Sequence, residues 1–413
     1  MTGLGVAIIG GGAAGFFAAI AAAESQPSAE ITILEAARSA LTKVRISGGG
    51  RCNVTHACFD PALLVQHYPR GNKALRGAFT RFQAKDTVEW FAQRGVPLKT
   101  EADGRMFPVT DDSATVVECL MRAARAAGVE LRTGAVVQQV SRANHGFTIS
   151  LKSGETLNCD RLVLATGSSL QGYAIARQLG HQIEPPVPSL FTFQIRDARL
   201  QDLAGVSVPS ARLRLQVSGY PPLEQIGPVL ITHWGLSGPA VLKLSAWGAR
   251  LLHDADYQAS LQINWLAQSN PEKVRQQLMA MRSQLARRQI ATNCPVLLPR
   301  RMWERLVAAA EIGASSRWSE LSNQGLNRLL QELTQATYLV AGKGAFKEEF
   351  VTCGGVALKE VNFKTMESRI CPALYLVGEI LDIDGVTGGF NFQSAWTTGW
   401  IAGQAISEGD GYQ

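Results

Sequence analysis

Gly10-Gly11-Gly12-Ala13-Ala14-Gly15 constrains this chain more than any other feature. It follows the apolar run Val6-Ala7-Ile8-Ile9 and opens an alanine-rich helical stretch over residues 13–24. A second apolar run, Ile31-Thr32-Ile33-Leu34, ends at Glu35, about 20 residues beyond Gly15, the spacing of a dinucleotide-binding strand–turn–helix–strand unit. Gly10 permits the tight turn, Gly12 lets backbone approach a pyrophosphate, and Gly15 lets helix and strand pack closely. The free N–H groups of Ala13, Ala14 and Gly15 offer a positive dipole end to phosphate, and Glu35 can accept from both ribose hydroxyls.

The rest of the chain is consistent with a globular α/β protein of two or three domains. With 413 residues, 46% of them hydrophobic, it has material for more than one core, and disorder is excluded. Seven cysteines without a Cys-x-x-Cys pair argue against a disulfide framework and against a zinc cluster, so no metal is expected. Residues 6–23 lack a basic leader and are broken by four glycines, and no other run is long and apolar enough to span a bilayer. A cytoplasmic location is expected.

Helical patterns recur over residues 84–94 and 113–127, after a looser region that carries Ser47-Gly48-Gly49-Gly50. Short strands follow to Cys159, then the buried run Leu162-Val163-Leu164-Ala165. Pro185, Pro186 and Pro188 mark a boundary. Beyond it, residues 190–195, 211–217, 229–232 and 260–265 read as strands, and 271–335 as helical. Glycine-rich turns and the buried run Leu374-Tyr375-Leu376-Val377 return at the end, before a last helix over 392–406. The expected architecture is a discontinuous nucleotide-binding domain, residues 1–187 and 343–413. A β-rich insert, 188–268, and a helical insert, 269–342, that returns to it lie between.

The glycine motif alone does not separate NAD from FAD. The C-terminal segment does, in favour of FAD. Gly378-Glu379 ends a strand with an acid suited to ribityl hydroxyls, and Gly388-Gly389-Phe390-Asn391 opens the final helix, whose first amides suit the N1–C2=O edge of a flavin. Ala395, Gly399 and Gly403 recur every four residues and leave that helix a smooth face for close packing.

These blocks, with Ile46-Ser47-Gly48-Gly49-Gly50-Arg51-Cys52-Asn53, Ala165-Thr166-Gly167 and Thr232-His233-Trp234-Gly235-Leu236-Ser237-Gly238-Pro239, resemble the BaiN/RdsA-type (YhiN-like) flavoprotein family nearly end to end. The resemblance implies a glutathione-reductase-type FAD-binding Rossmann domain, a β-barrel-like insert and a small helical part. Activities associated with the family are reduction of uridine to dihydrouridine in large-subunit ribosomal RNA, reduction of conjugated steroid double bonds, and oxidation of aminoacetone. The candidate cofactor set takes in Gly10, Gly12, Ala13, Ala14, Gly15, Glu35, Lys43, Gly49, Gly50, Arg51, Asn53, Val137, Thr166, Gly167, Gly378, Glu379, Gly388, Gly389, Phe390 and Asn391.

Three residues are candidates for chemistry. Arg51, after three glycines, is placed by pattern to face ring or substrate; Cys52 is a candidate general acid; His233 sits where a turn could carry its ring into a cleft. His56 and His67 have no supporting context. No second complete G-x-G-x-x-G follows a strand, so NAD(P)H is expected to reduce the flavin from the face the substrate uses. The leading expectation is an NAD(P)H-driven reductase adding hydride to a conjugated C=C, with uridine in large-subunit rRNA the favoured substrate. An oxygen-using amine oxidase and a reductase of small enones are the alternatives. Arg275, Arg282, Arg287, Arg288, Arg300 and Arg301 concentrate positive charge in the helical stretch, a candidate phosphate surface, with Trp303 and Trp318 as possible base-stacking rings.

Overall fold

The computed structural model describes residues 3–267, 270–344 and 351–408. The chain separates into two compact units, Met1–Val187 with Val351–Gln413, and Pro188–Phe350.

The first unit is built on a seven-stranded sheet. It opens with β1 (Gly5–Ile9), α1 (Ala13–Ser25) and β2 (Glu30–Glu35). The strand order is Val361–Asn362, Glu367–Ser368, Leu374–Leu376, Arg161–Leu164, β1, β2 and Glu130–Thr133. The five strands from Leu374–Leu376 onward pair in parallel, and the two short outer strands are antiparallel. Ile8, Ile33, Val163 and Leu374 are fully buried, as the unbroken apolar runs of a sheet covered on both faces require. Ile9 is in register with both Leu164 and Leu34, so the loops after three adjacent strands leave the sheet at one edge. That edge is where open parallel sheets bind ligands.

Helix α1 lies against the final helix, Phe390–Glu408, through small residues. A Cβ on Gly399 would stand 2.5 Å from Ala14 O, and one on Gly403 would stand 2.6 Å from Ala18 O. The first and last helices of the chain thus touch backbone to backbone. Nearby, the amide of Gln393 joins Thr55, Thr87 and Thr397 in a buried hydrogen-bond cluster that ties the start of this helix to the strand Thr55–His56. At the outer edge of the sheet, His181 Nδ1 lies 2.9 Å from Glu360 Oε2 and Ser368 Oγ 2.9 Å from His181 Nε2, a buried polar clasp.

The region after Glu35, read as loose from its glycines, holds three helices: α2 (Thr42–Gly50), which breaks at Ser47, Gly48 and Gly49, then Pro61–Leu64 and Asn72–Phe79. Glycine content hid them, because φ near +58° and +70° at Gly48 and Gly49 ends the first helix in a left-handed turn.

The second unit is a closed six-stranded barrel with helices packed on it. The strands run Phe193–Gln194, Gly235–Ser237, Leu223–Ile231, Ser207–Gln216, Gln258–Asn264 and Ala336–Lys343, and the last pairs with the first. Four of the six coincide with expected strands. Gly235–Ser237 is too short for alternation to reveal, and Ala336–Lys343, alternately buried and exposed, abuts the helical stretch. The helical stretch resolves into Pro271–Gln284, Arg300–Ala309 and Asn323–Thr334, which share one core with the barrel. Trp303 and Trp318 are fully buried and stack at 6.3 Å, so both are core residues and neither is a platform for bases.

Candidate dinucleotide site

The cradle assembles at the sheet edge from three loops. Gly10 has φ +112°, and a side chain there would collide with Ala165 O. Gly15 has no room for a Cβ against Gly10 O. Gly12 faces open space, caps α1 without any side-chain bond, and is followed by a first turn with no acidic residue. The first intrahelical bond is Phe16 N to Gly12 O, so the amides of Ala13, Ala14 and Gly15 head an open helix terminus. Glu35 ends β2 with its carboxylate turned into the loop, where Oε2 accepts from Gly11 N at 2.8 Å and Oε1 from Ala37 N at 2.7 Å. Val137, the buried first residue of Val137–Arg142, follows Ala135, whose amide bonds to Glu35 O at 2.9 Å.

Thr166 and Gly167 follow the strand Arg161–Leu164. Thr166 Oγ1 is buried with no hydrogen-bond partner among the described residues. Gly167 has φ +59°, and a Cβ there would stand 3.4 Å from Glu379 Oε2. Gly378, φ +72°, presses on Ala14, and its amide donates to Thr398 Oγ1 at 2.9 Å. Glu379 pairs with Lys43 Nζ at 2.6 Å, joining α2 to a residue 336 positions later. Gly10, Gly12, Gly15, Glu35, Thr166, Gly167, Gly378, Glu379 and Lys43 therefore share one region.

The second half of the site is a loop of unusual backbone. Gly48, Gly49, Gly50 and Cys52 all have positive φ, and Gly49 and Gly50 border open space. With its amide oriented to satisfy both neighbours, Asn53 donates to Thr55 O at 3.0 Å and accepts from Gly389 N at 3.0 Å. The loop is thereby pinned to the start of the final helix, and one of the amides expected to face a flavin is taken by Asn53. Asn391 is likewise occupied: its side chain accepts from Gly385 N and donates to Gly385 O, both at 2.8 Å. Phe390 is buried, and its ring stacks against two neighbouring imidazoles, 4.7 Å from His56 and 4.2 Å from His67, which are themselves 5.8 Å apart. Gly388, φ +133°, leaves space that a Cβ would take from the Phe390 ring. His56 and His67 carried no local sequence signal, since their common partner lies more than 300 residues away.

The chemical candidates fare differently. Arg51 Nη1 donates to Glu101 Oε1 at 2.7 Å and to Asp111 Oδ1 at 3.4 Å, and its guanidinium lies 4.0 Å from the centre of the Phe107 ring. It is engaged by acids that sequence spacing did not connect to it. Cys52 is 0% exposed, and burial pushes its thiol up to about 12 while a bond with Ser47 pulls less strongly the other way. The thiol is thus enclosed and held as its neutral S–H form. His233 lies in the second unit, exposed on the turn between Leu223–Ile231 and Gly235–Ser237.

The residues at the sheet edge fit a bound dinucleotide: an uncapped helix terminus, a glycine opening onto space and an unsatisfied threonine hydroxyl converge there. Fold and cradle together define a Rossmann-type FAD-dependent oxidoreductase. Residues 4–405 match the model of the HI0933-like protein Rossmann domain, and the chain belongs to that family. It is 32% identical to a 3-dehydro-bile acid delta(4,6)-reductase of Clostridium scindens, over 98% of this chain and 99% of the relative. It is also 32% identical to a ribosomal RNA dihydrouridine synthase of Escherichia coli, over 97% of each chain. Among solved structures, 3-ketosteroid-delta4-(5alpha)-dehydrogenase from Rhodococcus jostii shares the fold at TM-score 0.52 and 14% identity, covering 98% of this chain and 97% of that one.

Proposed function

We propose that this protein is a reductase that saturates a conjugated C=C bond, and that its substrate is uridine in large-subunit ribosomal RNA. One observation carries the reading. The chain matches end to end, at equal identity, two relatives whose names share one reaction type, removal of a carbon–carbon double bond in a ring. A further rRNA dihydrouridine synthase, of Haemophilus influenzae, is 28% identical over 97% of the chain.

Saturating such a bond adds one hydride to one carbon and one proton to its neighbour. Bound FAD supplies the hydride chemistry. The chain's own part is to hold the cofactor, orient the substrate and manage the proton. The residues assigned to holding are the α1 terminus with Gly10, Gly12, Ala13, Ala14 and Gly15, then Glu35, Thr166, Gly167, Glu379 and Lys43. Gly49 and Gly50 leave the space a flat ring needs. Of the proton-donor candidates, the enclosed Cys52 is set aside. Arg51, tethered to Glu101 over Phe107, is assigned to holding the glycine loop in place. NAD(P)H is assigned as electron source through the open face, given the lack of a second nucleotide motif in the sequence.

The arginine cluster keeps only part of its expected role. Arg300 pairs with Glu304 at 2.7 Å, Arg301 bonds to Asp202 O, and Arg282 has Nε and Nη2 buried. Arg287 and Arg288 stay exposed and are proposed as peripheral phosphate contacts. No helix among the described residues is long and apolar enough to cross a membrane. A cytoplasmic place beside its RNA follows from the proposed substrate.

Two measurements test this. Anaerobic mixing with NADPH or NADH should bleach the flavin absorbance within seconds; bleaching by small amines alone would favour an oxidase. Ribosomal RNA from cells lacking the gene should lose a dihydrouridine present in the parent, and unchanged dihydrouridine content would overturn the substrate.

A further inference from the structure

The flank of the barrel turns a polar ladder outward. Register sets Arg212 opposite Asn264, and Arg214 opposite both Gln262 and Glu224. Together with Gln335, at the end of the helix Asn323–Thr334, these side chains line an open-sided groove of about 560 Å³. That volume lies within the range of small-ligand sites and suits one nucleotide.

The groove's chemistry is cationic and amide-rich. Arg212 makes no ion pair or side-chain hydrogen bond among the described residues, and Arg214 has only Glu224, 3.6 Å away, with both side chains about half exposed (52% and 49%). An exposed pair of that kind is worth about 0–1 kcal/mol, so a phosphate can displace the carboxylate. Guanidinium presents a planar fork that matches phosphate oxygens. The carboxamides of Gln262 and Gln335, without side-chain partners among the described residues, each offer a donor and an acceptor, the pair needed by the edge of a base. The alternation of Ser207–Gln216 buries Leu213 and Leu215 in the barrel and sends the intervening arginines outward. The open sides let a chain continue past the site, which a free mononucleotide would not need.

We propose that this groove holds one ribonucleotide of a single-stranded RNA segment, its phosphate on Arg212 and Arg214 and its base edge on Gln262 and Gln335. The inference rests on the RNA-substrate reading and adds where the strand is gripped. It is tested with FAD-loaded full-length protein and a fluorescein-labelled 12-residue oligouridylate. R212Q/R214Q should bind about tenfold more weakly at 0.1 M salt, and its log–log salt slope should fall by about 0.7, the loss of one single-strand phosphate contact. R212K/R214K should recover most of that slope. Flavin content and melting temperature should match the unsubstituted protein, since both arginines are exposed. Equal affinity and slope in R212Q/R214Q would overturn the groove while leaving the substrate reading intact. So would failure of the unsubstituted protein to bind the oligomer, or binding of free UMP as tight as that of the oligomer. Unchanged dihydrouridine in cells lacking the gene overturns the substrate reading alone, and the oligomer measurements then decide the groove.

Discussion

Burial decides what the cysteines of this protein can do. Cys52 and Cys159 are both enclosed, and desolvation lifts each thiol to about 12. Their folded-state values stand above the ordinary thiol range, so the stability they contribute is complete below about pH 8.5 and is lost as pH rises toward 12. Each ionising thiol steepens that loss by up to about 1.4 kcal/mol per pH unit. The urea midpoint should therefore fall between about pH 9 and 11, and Cys52→Ala and Cys159→Ala should each flatten the fall, measured by denaturation at stepped pH. Equal pH dependence in all three proteins would mean that water reaches these thiols. Cys52→Ala should also keep its flavin and most of its turnover. Loss of turnover with the cofactor retained would restore the thiol to the chemistry. Arg51 teaches the same lesson from the opposite sign: a cation beside a glycine loop reads as a substrate contact until Glu101, Asp111 and Phe107 are seen around it.

The contact between α1 and the final helix couples the two chain ends to the cradle. Gly399→Val would push a methyl-bearing carbon to within 2.5 Å of Ala14 O and 3.0 Å of Phe17 Cβ, and Ala14 belongs to the turn that heads the cradle. Overpacking of this kind costs about 1–3 kcal/mol. FAD affinity should drop about tenfold, read from flavin fluorescence on release, with the melting temperature lowered as well. Unchanged FAD affinity in a destabilised variant would separate the helix contact from the site. This element was legible in the sequence, because four-residue spacing of Ala395, Gly399 and Gly403 marks one face of a helix. So were the strands at 6–9, 31–34 and 374–377, whose unbroken apolar runs have one physical reading beside a glycine turn. Closure of the barrel was not legible: it depends on Phe193–Gln194 pairing with Ala336–Lys343, and no local pattern encodes a partner about 150 residues away. The imidazole pair stacked beside Phe390 was hidden for the same reason, as was the anchoring of Asn53 to Gly389. Local chemistry shows which residues are available; only the fold shows which of them are already taken.

At the scale of the whole chain, the second unit is an insertion with a core of its own. Its continuous apolar cluster runs from Phe191 to Val340 and draws on residues of that unit alone. The first unit is continuous across the insertion: Gly354, with φ +111°, packs its backbone against Pro185 and Pro186, so the chain re-enters this unit beside the point where it left. The sheet order makes the same demand, since Leu374–Leu376 pairs with Arg161–Leu164 and the final helix lies on α1. A protein in which residues 1–187 are joined to 351–413 through about six Gly and Ser residues should consequently fold, because closing so short a loop adds only a small entropic cost. It should purify yellow, with FAD bound in near-stoichiometric amount by absorbance. It should not bind the oligouridylate, since Arg212, Arg214, Gln262 and Gln335 are gone. A folded, colourless product that stays empty in excess FAD would show that the first unit alone is insufficient to hold the dinucleotide. A yellow product that still binds the oligomer with the full salt dependence would move the RNA contacts from the barrel to the cradle-bearing unit.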